Sequence, residues 1–194
     1  MSRLFLNALV FMLFINCSNV KNIIEVKQLE TDVPVVLWVN HKYKKIITID
    51  IPFKFKIHNK SLINKKFTSY EYYDNDIQSK RGFVLYLVKG NQLIKQGFQP
   101  KTIKQNSSGD YIAYTSHILD SLPNTQNKLR AYLDDMLINK KDSLLVGSLK
   151  SFSKNHNELI QKTVKNDTII INFLEKESKG GTWSEVKTPI DSWF

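Results

Sequence analysis

The chain has 194 residues, with 28 Lys and Arg against 18 Asp and Glu, a formal charge of +10 and a single cysteine. One cysteine excludes a disulfide framework, and 7 glycines and 5 prolines without any low-complexity tract exclude a fibrous or disordered chain. The length suits one domain, or one domain with an appended element, large enough to bury a core without cross-links.

The first element is apolar and short. Arg3 precedes the run Leu4 to Ile15, and Asn16-Cys17-Ser18 closes it. A helix crossing the ~30 Å hydrocarbon layer needs about 20 apolar residues, so a run of 12 with Asn7 inside it fits the core of a signal peptide. The basic start, the apolar core and the cysteine at its end resemble the signal peptide of a bacterial lipoprotein. Phe14 and Asn16 stand where the usual pattern has Leu and a small residue. This looser pattern and the Asn-, Lys- and Ile-rich composition resemble lipoproteins of Bacteroidota.

The resemblance implies removal of residues 1–16 and lipidation of Cys17, which becomes the first residue of the mature chain. A lipoprotein of this kind carries three acyl chains, and stable anchoring needs more than one. Ser18 in second position, and the absence of acids from Ser18 to Asn22, imply the periplasmic face of the outer membrane. Residues 17–32 are polar and unpatterned and read as a tether.

Strands follow. Val33 to Val39, Ile46 to Ile51 and Phe53 to Ile57 are apolar or alternating, and in the last Phe53, Phe55 and Ile57 share one face while Lys54 and Lys56 take the other. Pro52 cannot donate to a ladder, so a bend or an edge is expected there. Further strands are expected at 67–73, 83–88, 92–98 and 110–117, with Lys89-Gly90-Asn91 as a tight turn. This spacing predicts an antiparallel Ig-like β-sandwich over residues 33–122. The segment Phe53 to Ser61 resembles strands of such domains in envelope lipoproteins.

After Pro123 the period changes. Leu129, Tyr132, Leu133, Met136 and Leu137 predict an amphipathic helix, and Leu149, Phe152, Leu159, Ile160 and Val164 a second. Thr168 to Leu174 and Thr182 to Val186 flank Ser178-Lys-Gly-Gly181 as a hairpin. Residues 123–194 thus read as a helical pair and a closing hairpin packed on the sandwich. The expected class is α+β, mainly β.

Chemistry-bearing motifs are sparse. The four histidines, at 41, 58, 117 and 156, are scattered, and His156 with Glu158 lacks the second histidine of a zinc-protease helix. No nucleophile elbow, phosphate loop or dinucleotide fingerprint is present. Glu71, Asp74 and Asp76 offer too few oxygens for calcium and read as a turn. No catalytic residue, metal site or cofactor other than the lipid is expected.

The charge is uneven: from Lys42 to Lys66 there are eight lysines against Asp50, and from Lys89 to Lys104 four more with no acid. Lys42, Lys44, Lys45, Lys54, Lys56, Lys65 and Lys66 mark a face for an anionic partner. Solvated strand faces in a Lys-rich chain give the same text. Nucleic acid is not expected outside the inner membrane. The leading expectation is a non-enzymatic, membrane-anchored lipoprotein binding another envelope protein as a scaffold or accessory subunit. An immunity lipoprotein neutralising a toxin, or a binder of anionic glycans or lipid headgroups, are the alternatives.

Overall fold

The structure, a computed structural model, describes residues 23–74, 77–78, 83–97, 99–176 and 182–190. Cys17, Asp76, Phe98, Ser178 to Gly181 and the terminal Trp193 and Phe194 lie outside them. The described residues form antiparallel β-structure in two sheets with a few helices.

The longest element organises the rest. Strand β3 (Lys45–Asn59) runs unbroken for 15 residues, with Ile49, Ile51, Phe53, Phe55 and Ile57 buried on one face. Strand β9 (Ser107–Ile118) pairs with one edge of it along its length, from Thr48↔Ile118 to Asn59↔Ser107. The other edge is shared. Strand β1 (Ile24–Leu29) covers residues 54–59, and β2 (Pro34–Asn40) covers residues 45–50.

One expectation is corrected here and another is met. Residues 24–29, assigned to a tether, form a paired strand, because Ile24, Val26 and Gln28 alternate with polar residues and turn inward. The strand runs through Pro52, and the expected edge is local, on the side shared by β1 and β2. Leu29 pairs with Lys54 and Val36 with Asp50, so residues 30–35 bulge away opposite residues 51–53. The missing N–H falls where the partner strand has departed, which is how a 15-residue strand tolerates proline.

Beyond β9, sheet A continues through β6 (Phe83–Lys89) to β7 (Gln92–Lys95); at its other end β10 (Ser143–Ser148) pairs with β2. Sheet B is built on β4 (Lys65–Asp74), paired with β11 (Thr168–Lys176), the short β5 (Ile77–Gln78) and β8 (Lys101–Ile103). Strand β12 (Thr182–Pro189) pairs with β11, as the hairpin reading expects. The inner faces meet through aromatic rings: Phe67 packs edge-on to Tyr111 at 5.6 Å and Tyr72 stacks on Phe83 at 5.9 Å, while Phe173 flanks Phe67 within sheet B at 5.8 Å. Such pairs add about 1 kcal/mol each to the burial of their area.

The helices are α1 (Pro123–Lys128), α2 (Arg130–Ile138) and α3 (Leu149–Thr163). Leu129, Leu133, Met136, Phe152 and Ile160 join the same core as Val35, Leu37 and Ile49, so the helices cover the part of sheet A that sheet B leaves open. Ser148 caps α3 by accepting from the Ser151 amide at 3.2 Å, and Gly147 supplies the left-handed φ of +92° just before it. Residues 123–194 do more than pack on a finished sandwich, since β10 extends sheet A and β11 is central to sheet B. Strand β10 lies between the two helices that the sequence reading joined as a pair.

Candidate functional site

The seven lysines expected to form one basic face are distributed over three places. Lys42 and Lys44 lie in the β2–β3 turn and Lys45 at the start of β3, where its Nζ donates to the Ser121 carbonyl at 3.3 Å. Lys54 and Lys56 lie on the outer face of β3 and both approach Asp110, at 3.6 and 3.8 Å. Lys65 and Lys66 open β4 in the other sheet. Lys65 is only 4% exposed and is bonded to Glu175, which also accepts from Ser184 at 2.6 Å. A cation sealed against its own counterion is a structural ion pair, so Lys65 leaves the basic face.

The outer face of sheet A carries a group of exposed apolar residues. Residues directly opposite in neighbouring strands share a face, and Trp38 stands opposite both Ser143 and Thr48, with Thr48 opposite Ile118. Leu145, two residues on from Ser143, stands opposite Val36. Trp38, Leu145 and Ile118 therefore form one patch, 40%, 65% and 68% exposed. Asp50 holds its centre. It accepts from the Trp38 indole at 2.7 Å and from the Ser116 hydroxyl, which fixes the orientation of the large ring. The neighbouring β2–β3 turn adds exposed Tyr43 between Lys42 and Lys44, and His41 contacts Asp142 at 3.1 Å.

This patch and the chain's entry into the fold occupy opposite ends of β3. Ile24 pairs with Asn59 at one end and Asn40 with Lys45 at the other. The patch lies at residues 48–50 of β3, so nine to eleven residue steps separate it from Asn59, about 30–35 Å.

Midway along β3, the bulge opens a cavity of about 420 Å³, lined by Leu29, Pro52, Phe53 and Leu149, with Lys54, Lys150 and Lys154 around it. Lys150 reaches across its mouth to Glu30 at 3.0 Å. The lining offers an apolar body and a rim of three lysines and Glu30.

A cluster of titratable side chains in the interior joins the sheets. Tyr72 of β4 donates to Asp167, which precedes β11, and lies 3.3 Å from His117 Nε2; that nitrogen is also 2.9 Å from Thr115 Oγ1. His117 is 5% exposed and Asp167 fully buried. Burial presses the imidazole down to about 4, and burial together with the Asp167 carboxylate raises the Tyr72 phenol far above its ordinary value. The neutral forms are favoured here, and the cluster closes the interior. His156 lies on α3 beside Phe152, with ring centroids 4.5 Å apart, and Glu158 binds Lys128 at 2.6 Å. Among the described residues no group of three or more His, Cys, Asp or Glu is placed to hold a metal ion, and no helix is long and apolar enough to cross a membrane.

The bulge cavity and the Tyr72–Asp167–His117 cluster were not foreseen from the sequence. The cluster spans 95 positions from Tyr72 to Asp167 and the cavity 120 from Glu30 to Lys150, and neither carries a local motif. No protein-family model matches the chain, and no curated protein or solved structure is significantly similar to it.

Proposed function

We propose that this chain is a non-enzymatic lipoprotein of the cell envelope, tied through acylated Cys17 to the periplasmic face of the outer membrane. Its two-sheet body, taken as an Ig-like binding sandwich, holds another envelope protein as a scaffold or accessory subunit. The observation that carries this reading is the patch of Trp38, Leu145 and Ile118. A tryptophan held in place by Asp50, with large aliphatic neighbours and a polar surround, has the composition of a protein-contact hot spot. Its position supports the same reading, because a patch about 30–35 Å along β3 from the anchor end is presented away from the membrane.

Affinity purification of the full chain from native membranes, followed by mass spectrometry, tests it. One partner should be retained in moderate salt and lost on Trp38→Ala or Ile118→Lys, with the fold intact by circular dichroism. Retention of the same partner by both variants would overturn the assignment of this patch. The basic turn of Lys42 and Lys44 beside the patch favours a second reading, capture of an acidic toxin. That complex would form at a rate that collapses as salt rises.

A further inference from the structure

The end of the domain nearest Cys17 carries its own apolar tip. The loop between β3 and β4 exposes Leu62 by 79% and Ile63 by 60%, and Ile23, which leads into β1, is 43% exposed. The three lie together, since the Lys60 amide donates to the Ile23 carbonyl at 2.8 Å. Adjacent aliphatics so exposed at a loop tip oppose ordinary burial, yet the loop is firmly built.

Asn59, fully buried, is its keystone. Its Nδ2 lies 2.8, 3.1 and 3.1 Å from the carbonyls of Ile63, Ile103 and Lys104, and its Oδ1 accepts from the Ser61 amide at 3.0 Å and hydroxyl at 2.6 Å. The β8–β9 turn braces the loop from the side, with the Asn106 amide on the Ser61 carbonyl at 3.2 Å and the Gln105 amide on Asn64 Oδ1 at 3.0 Å. Lys104 is exposed, and Glu25 is occupied by Lys60 at 2.8 Å.

Only residues 18–22 separate Cys17 from Ile23, and six residue steps span at most about 20 Å. We infer that the Leu62–Ile63 loop, with Ile23 and Lys104 beside it, rests in the headgroup layer of an anionic bilayer and orients the domain upright on it. The inference rests on the lipidated-Cys17 reading. Paired aliphatics enter the interface while Lys104 meets a lipid phosphate, the arrangement of a peripheral membrane contact.

The test uses full-length acylated protein in vesicles of phosphatidylethanolamine and phosphatidylglycerol. An environment-sensitive dye is placed on Leu62→Cys or, as a distal control, on Tyr43→Cys. Emission should shift to the blue and be quenched by spin-labelled lipid at position 62, and do neither at position 43. Vesicle-bound protein with a water-like dye at 62 overturns the loop contact while leaving the anchor standing. A chain that carries no acyl group and floats free of vesicles overturns both. A dye at 62 shielded only after envelope proteins are added assigns the loop to a protein partner and overturns the lipid contact.

Discussion

Tyr72 donates its phenolic hydrogen to Asp167 inside the protein, joining sheet B's central pair of strands at a point where His117 of sheet A also arrives. A buried carboxylate survives only where donors replace the water it has lost. The main chain is tied separately: the Asp167 amide donates to the Val164 carbonyl at 3.1 Å, and the Asp167 carbonyl accepts from the Ile190 amide at 2.9 Å. The residue that joins α3 to β11 thus also ties down the end of β12.

Removing the phenol should therefore cost more than its volume suggests. Tyr72→Phe keeps the ring against Phe83 but takes a donor from a buried carboxylate, a loss of about 2–3 kcal/mol. Urea denaturation should show a lower midpoint at unchanged slope. An unaltered midpoint would mean that the hydrogen bond contributes nothing net.

His117 makes stability depend on pH. Burial holds its folded value at about 4 against an ordinary 6.5, so between these values the unfolded chain binds the extra proton. Stability is complete above pH 6.5 and drains as the pH falls toward 4, by about 3 kcal/mol in all. Unfolding midpoints across this window should slope accordingly. His117→Gln, which cannot charge, should flatten that part of the profile.

Asn59→Ala should loosen the β3–β4 loop more than the sheets. Three carbonyls lose their amide donor and Ser61 loses its acceptor, a cost of about 2–3 kcal/mol. Hydrogen exchange should accelerate from residue 60 to 64 and at the β8–β9 turn, while the amides of β3 stay protected. Uniform acceleration over both sheets would contradict a local role.

Cys17→Ala should move the protein from the membrane to the soluble fraction and remove the mass of the acyl chains. Retention at the membrane with an unchanged mass would remove the anchor from the account.

The strand alternation of β3, the helical period from Leu129 to Leu137 and the β11–β12 hairpin were all legible, because each is a local pattern that one buried face imposes. Strand β1 was not. Its alternation is short and carries two charged residues, and it becomes a strand only by pairing with residues 54–59 of β3. Lys65 misled for the same reason, since Glu175, the group that neutralises it, comes from 110 positions away.

By itself the sequence determined the local periods, the uneven charge and the signal-like N-terminus that points to Cys17. Only the tertiary structure decided which lysines share a surface, where Pro52 could sit and which apolar groups remain outside. Pairing register and burial are properties of chain segments far apart in sequence. No single stretch encodes what will lie opposite it.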